Sequence, residues 1–312
     1  MNPSASLHPK ALRYLAAVAE LGSVQAAARM VAISASAIDR QILLLEEELG
    51  VPLFERQARG MRLTAAGELL VALAQRWKSD LNRTLSDVKQ LQGINQGQLR
   101  LAAMDSLANG LLPGFIHRVA QEHAGIVLEV DVVTTAEAVR RLCEGSVDLA
   151  VAFNLKAQRE LHIVCTADLP LGCVVAPGHA LAGRAQVSFK DVAGWPLAVQ
   201  SHALAIRRYL ERRHAWLLQE ARPPLVSNSL QLVKSLVRSG SHVALTSELD
   251  AGPEILEGSV RFVPLSDRSA QPQTIGVAIS ASRPLPRIGR IVADLLAEHL
   301  QDYLAQVRSA GH

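Results

Sequence analysis

The chain has 312 residues, 49% of them apolar and 20% charged, with a formal net charge of +3. That length supports two or three domains with cores of their own, and so small a surplus of charge does not by itself announce nucleic acid. No run approaches the roughly 20 apolar residues of a membrane helix, and MNPSASLHPK lacks the basic-then-apolar order of an export signal, so a cytoplasmic location is expected.

In the first 92 residues eleven Lys and Arg stand against nine Asp and Glu. Their placement matters more than the sum. Arg56, Arg59 and Arg62 gather on one short segment and Glu46, Glu47 and Glu48 on another, which predicts one positive and one negative face. After Pro9, the residues Leu12, Leu15, Ala16 and Ala19 recur at helical spacing, and Gly22 closes that helix. Ser23 caps a second, alanine-rich helix. Ser34 caps a third that should run to Leu49 before Gly50 stops it. Two helices joined by a short turn, the second properly capped, form the helix-turn-helix pattern.

On a wheel of 100° per residue, Ile38, Ile42, Leu45 and Leu49 share the stripe expected to face the core, while Ser36 and Arg40 point away. Ala35 and Asp39 lie on the flank, near the end that reaches base edges in this motif. Taken alone, an ordinary amphipathic helix with a wet outer face explains these residues as well. The next segment shifts the balance. Residues 51–56 and 61–63 read as two short strands around a glycine turn, a small wing whose arginines can pair with phosphates.

The order GSVQAAARM, ISASAIDRQILLLEEELG, VPLFERQARGMRLTAAG over residues 22–67 resembles the winged helix-turn-helix of LysR-type transcriptional regulators. The match is carried by Gly22 and Ser23, Ala26 and Ala27, Ile42, Leu45 and Glu46, Leu49 and Gly50, Leu53 to Arg56, Leu63 and Thr64, and Gly67. The resemblance implies double-stranded operator DNA as a partner. Candidate DNA-binding residues are Ser23, Gln25, Ser34, Ala35, Ser36, Asp39, Arg40, Gln41, Arg56, Arg59 and Arg62. The sequence departs from the family at Ala35, Ser36 and Asp39, where glutamine, proline and serine are usual, so base contacts do not carry over there. Asp39 either accepts from the amino group of cytosine or orients Arg40.

From Thr64, a helix cap, to about Gly93, the residues Leu70, Leu73, Trp77, Leu81, Leu85, Val88 and Leu91 keep steps of three or four. Such a helix is on the order of 40 Å long and too one-sided to bury its stripe alone. The resemblance implies pairing with a second copy in a homodimer, with a homotetramer on an extended operator; packing against the chain's own C-terminal domain is the alternative.

Beyond the GINQGQ linker at 93–98, strand and helix patterns alternate through residues 99–153, resume at 171–176, and end in a strand at 274–279 and an amphipathic helix at 288–307. A helix is expected over 205–220. Alternation of this kind predicts a parallel sheet covered on both faces. The looser motifs LLPGF, GSVDLAV, APGHALA, VAGWPLAV and VRSGSHVALT resemble the LysR effector domain, a two-lobed α/β fold like type II periplasmic binding proteins. The expected organisation is a DNA-binding domain over 1–65, a linker helix over 66–97, and an effector domain over 98–312. Its first lobe would take 98–168 and 269–312, its second 169–268.

A cleft between two such sheets collects strand ends and helix starts, where N–H groups favour a small anion such as an organic acid or amino acid derivative. The residues at those places are Asp105, Ser106, Thr134, Thr135, Phe153 and Asn154 in the first lobe. In the second they are Gln200, Ser201, His202, Asn228, Ser229 and Thr246. Each Ser or Thr also suits a helix cap. Asp105 would repel an anion, and His202 would offset it or lie on the surface.

Enzymatic readings have little to rest on. GxSxG, GxxxxGK[ST], HExxH and GxGxxG are all missing, the ten histidines lack ligand spacing, and Cys143, Cys165 and Cys173 form no CxxC pair. No catalytic residue, metal or cofactor is expected. A solute-binding protein or an enzyme like the porphyrin-pathway deaminases would share the two lobes without the winged helix-turn-helix. The reading is a DNA-binding transcriptional regulator governed by a small effector, with RNA polymerase as a further partner.

Overall fold

The computed structural model describes residues 9–57, 60–91, 97–201, 205–220 and 225–311. The chain divides into two compact units. One comprises residues 1–98 with 143–146, and the other the remainder.

In the first unit, α1 (Lys10–Leu21) ends where Gly22 turns left-handed at φ 62°. Ser23 opens α2 (Val24–Val31) by accepting the Ala26 N–H, and Ser34 opens α3 (Ala35–Leu49) by accepting the Ala37 N–H. Gly50, at φ 68°, closes α3. The small Ala27 and Ala28 let these helices approach, and Leu15, Val18, Ile38, Ile42 and Leu53 are buried among them. Leu45 packs at the edge of that core, but Leu49 is 49% exposed. It belongs to the stripe by angle only, because the last turn of α3 runs past the end of the small core. The wing pairs β1 (Phe54–Gln57) with β2 (Gly60–Leu63) antiparallel, Phe54 opposite Leu63 and Gln57 opposite Gly60. Then α4 (Ala65–Leu91) runs for 27 residues.

The second unit holds two lobes. A five-stranded sheet is built from β3 (Gly97–Ala103), β4 (Ile126–Val132), β5 (Leu149–Phe153), β6 (Leu161–Leu169) and β12 (Gln273–Ser280), in the order β4-β3-β5-β12-β6. Around it lie α5 (Asp105–Ala108), α6 (Leu111–Glu122), α7 (Thr135–Glu144) and the C-terminal α13 (Arg287–Gly311). Phe115, Leu149, Val151, Ile275, Val277 and Leu296 are buried in its core.

The expectation of a parallel sheet is corrected here: β3 and β5 are parallel, whereas β12 runs antiparallel to both β5 and β6. The helix crossover makes β3 and β5 parallel. In contrast, β12 returns from the other lobe and enters from the opposite end.

In the second lobe, β7 (Leu171–Val175) sits between β10 (Ala244–Ser247) and β11 (Arg261–Pro264), antiparallel to each. β8 (Ala198–Gln200) pairs in parallel with β9 (Leu225–Ser227). The helices are α8 (Phe189–Ala193), α9 (Ala205–Arg213), α10 (Ala215–Glu220), α11 (Leu230–Arg238) and α12 (Gly252–Leu256). The single helix expected over 205–220 is broken at His214, which is buried against the Phe189 ring. The first lobe thus reclaims the last strand and helix after the chain has built the second.

Candidate DNA interface and effector cleft

The first unit presents a concave surface because three backbone contacts fix the wing. Glu46 reaches from α3 to accept the Leu53 N–H at 2.7 Å and the Phe54 N–H at 3.2 Å with one carboxylate oxygen. Thr64 donates its hydroxyl to the Pro52 carbonyl at 2.7 Å and accepts the Gly67 N–H at 3.1 Å. Met61 donates its N–H to the Gly22 carbonyl at 2.9 Å. That approach requires Gly60, whose φ is 130° and where a Cβ would stand 2.5 Å from the same carbonyl oxygen.

The result is a crevice of roughly 370 Å³ between α2, α3 and the wing, lined by Ser23, Val24, Gln25, Ala35, Ser36, Asp39, Gln57, Gly60 and Met61. First-turn residues of both α2 and α3 border it, which favours an anion at each. Ser34 caps α3 and accepts the Ser36 hydroxyl at 3.2 Å, while Ser23 donates to the Gln25 side-chain carbonyl at 3.2 Å. Arg40 is exposed on α3 and Gln41 half-buried, neither lining the crevice. Arg62 is exposed on β2 opposite Glu55, and the Arg56 backbone pairs with Met61. Arg59 lies outside the described residues.

Between the lobes of the second unit is a cavity of about 40 Å³. Met104, Asp105, Ser106 and Phe153 line it from the first lobe, Gln200, Ile206, Leu230 and Asp250 from the second, and Gln273 from the start of the returning β12. It has room for a few waters at about 10–15 Å³ each. A ligand in a usual pocket of about 300–1,000 Å³ would need the lobes further apart. The Gln200 amide donates to Thr246 at 3.3 Å, and the Thr246 and Ser247 hydroxyls both donate to one Asp250 oxygen.

Four of the twelve expected effector residues, Asp105, Ser106, Phe153 and Gln200, therefore meet in the cavity. Thr246 supports it from one layer behind. Thr135 braces the wall by donating to the Met104 sulfur and the Phe153 carbonyl. The others are placed elsewhere. Thr134 and Ser229 cap α7 and α11, Asn228 is exposed, and the Ser201 N–H continues the pairing of β8 by donating to the Ser227 carbonyl. Asn154, at φ 52°, staples β5 to β12 by accepting the Thr274 N–H at 3.0 Å. His202 lies outside the described residues.

Comparison with known proteins decides between the families that share these lobes. Residues 9–68 match the model of the bacterial regulatory helix-turn-helix protein, lysR family, and residues 92–301 match the LysR substrate binding domain. The chain belongs to the LysR family of transcriptional regulators. It is 31% identical over 231 residues to a probable nitrogen assimilation transcriptional activator of Synechococcus elongatus, spanning 73% of this chain and 74% of that one.

Among solved structures, a full-length OxyR variant from Pseudomonas aeruginosa has a TM-score of 0.67 at 22% identity, covering 92% and 93% of the two chains. Full-length CbnR in complex with its target DNA has a TM-score of 0.64 at 20% identity, covering 94% and 99%. The solved structures share the fold, a helix-turn-helix head followed by a two-lobed domain; the two family matches and the relative at 31% identity show that the protein is a DNA-binding transcriptional regulator with an effector domain.

Within this LysR fold, the sequence pattern did not single out Asp250 and Gln273, which reach the cleft from a turn after β10 and from the returning strand. Burial pushes the Cys173 thiol up to about 12 and raises that of Cys165, so both stay protonated. Among the described residues there is no cluster of metal-binding side chains and no helix long and apolar enough to cross a membrane.

Proposed function

We propose that this LysR regulator acts in the cytoplasm as a homodimer, pairing further into a tetramer, on a two-fold related operator. The start of α3, from Ser34 to Gln41, enters the major groove. Ser23 and Gln25 at the start of α2 and the wing arginines Arg56, Arg59 and Arg62 hold the backbone. A small molecule in the cleft shifts the lobe equilibrium and with it the placement of the DNA heads, through which RNA polymerase is recruited or excluded. The observation that carries this reading is the crevice itself, where two helix starts and a pinned wing converge on a hollow of roughly 370 Å³ bordered by the polar side chains of Ser23, Gln25, Ser36 and Asp39.

The test is a binding titration with the intergenic DNA beside the protein's own gene and with random DNA at physiological salt. A preference of about 1,000-fold or more for the intergenic site is expected of specific recognition, and Arg56→Ala should reduce the salt slope by about one. Equal affinity for both DNAs would end the operator reading. An unchanged slope would remove Arg56 from the phosphate contacts.

A further inference from the structure

The two lobes are joined where the chain crosses from β6 to β7 and where it returns from β11 to β12. The first crossing is a single residue, Pro170, between Leu169 at the end of β6 and Leu171 at the start of β7. The return is longer, since β11 ends at Pro264 and β12 begins at Gln273. The second lobe holds most of it. Leu265 donates its N–H to the Leu171 carbonyl at 3.1 Å, Ser266 donates to the Val187 carbonyl at 2.9 Å, and the Asp267 carboxylate accepts the Phe189 N–H at 2.9 Å. Tyr209 on α9 holds the last part, its hydroxyl donating to the Ser269 carbonyl and accepting the Gln271 N–H at 3.1 Å. On the far side Gln273 already faces Leu169 in the first-lobe sheet, and Thr274 donates its N–H to Asn154 at 3.0 Å. Only Pro272 is left between the lobes.

Each crossing is therefore one proline, and the two lie side by side because Leu169 and Gln273 are partners in the sheet. Proline has no N–H to extend a ladder and its φ is fixed, so pairing stops at this level and each crossing turns on little more than one ψ angle. Without the Tyr209 hydroxyl, the last described hydrogen bond to the second lobe would be that of Asp267. Residues 268–272 would then be held only by Ala270 against the second-lobe core, opposite a single residue in the other crossing. A hinge so unequal has no fixed axis. The helix that carries Tyr209 also reaches the cavity. Ile206, one turn earlier on α9, lines it, and so does Gln273, next to Pro272.

Resting on the lobe movement proposed above, we infer that Pro170 and Pro272 form a double hinge between the lobes and that Tyr209 is its positioning residue. The Tyr209 hydroxyl keeps the return one residue long and so keeps the cleft closed. A ligand that enters the cavity displaces Ile206, and with it α9 and the clamp.

The experiment places a reporter thiol in the cavity of the full chain. Ser106→Cys puts sulfur where the Ser106 oxygen is buried. Its modification by a soluble disulfide reagent is timed against the same chain with Ser106 intact, which corrects for Cys143, Cys165 and Cys173. Tyr209→Phe keeps the ring and removes only the hydroxyl; it is expected to speed the modification about tenfold, as the loss of two hydrogen bonds from the closed state implies. Two glycines inserted between Gln271 and Pro272 lengthen the return with the Tyr209 bonds left in place, and are expected to speed it as well. A measurable rate that neither variant changes would overturn the hinge and leave the lobe movement standing, because the cavity then opens by another route. A rise in only one variant would overturn it too: with Tyr209→Phe alone, loosening of α9 beside Ile206 accounts for the result, and with the insertion alone, Tyr209 clamps nothing. If the thiol is modified in no folded variant yet reacts fully in urea, the lobes do not part, and the hinge and the lobe movement fall together.

Discussion

Gly67 governs the DNA head through what it lacks. A Cβ there would stand 2.1 Å from the Leu53 carbonyl oxygen, a backbone atom that also accepts the Thr64 N–H at 3.0 Å and belongs to the segment held by Glu46. Gly67→Ala therefore cannot be absorbed by turning a side chain. It should destabilise the head by about 1–3 kcal/mol, as overpacking does, and weaken operator binding by displacing the wing. Urea unfolding of the full chain measures the first effect, and a loss below about 0.5 kcal/mol, the ordinary range of neutral surface changes, would show that the contact relaxes.

Asp39 lines the crevice from the second turn of α3. From there a carboxylate can accept a cytosine amino group, so Asp39→Asn should relax preference at one base pair and leave the salt slope nearly unchanged. Selection from randomised operators reads this directly; preference retained at every position would instead assign Asp39 to orienting Arg40. The letters of the head were legible as a family pattern, but the reason for Glu46, Thr64 and Gly67 was not, because each acts on backbone brought near only by folding. The same limit applies to Asp250. Nothing in the local pattern of a turn says that it faces Asp105 across a cleft.

At the level of elements, the break between α9 and α10 has a physical cause and a consequence. His214 sits against Phe189 with ring centroids 4.0 Å apart, and its Nε2 lies 3.2 Å from the Tyr209 hydroxyl. That hydroxyl donates to the Ser269 carbonyl and accepts the Gln271 N–H at 3.1 Å. The break thus braces the segment on which the chain returns to the first lobe. The sequence over 205–220 reads as one helix because nothing in it marks the His214 imidazole as buried.

Burial lowers the His214 pKa below its ordinary value, partly offset by the Ser269 backbone and Asp267. The folded state therefore prefers the neutral ring. Its stability is full above the ordinary value near 6.5 and declines as pH falls through that value toward the lower folded one. His179 and His299 are lowered by burial too and act in the same direction. Thermal unfolding between pH 7.5 and 5.5 should show a falling melting temperature, and His214→Gln should flatten part of that fall. An identical slope in the variant would remove His214 from the acid response.

For the whole molecule, the exposed side of α4 is the feature that a single chain leaves unexplained. Leu69 is 75% exposed, Leu73 39%, Trp77 45% and Val88 45%. Isolated apolar residues on a surface are ordinary. These are spaced at four, four and eleven residues, which keeps them on one helical stripe across about 28 Å of the helix. A two-fold related operator needs two heads at fixed separation, and in the homodimer proposed above a long helix pairing through this stripe would supply both the cover and the spacing. Trp77→Glu adds charge at the middle of the stripe without touching the core residues Val71 and Ala74. It should convert the protein toward monomers in size-exclusion chromatography with light scattering. It should also cut affinity for a two-site operator by a factor of 100 or so while leaving a single half-site nearly unaffected, because linked heads gain their avidity from being joined. A Trp77→Glu protein that stays dimeric and binds the full operator as before would mean that the stripe has no part in assembly.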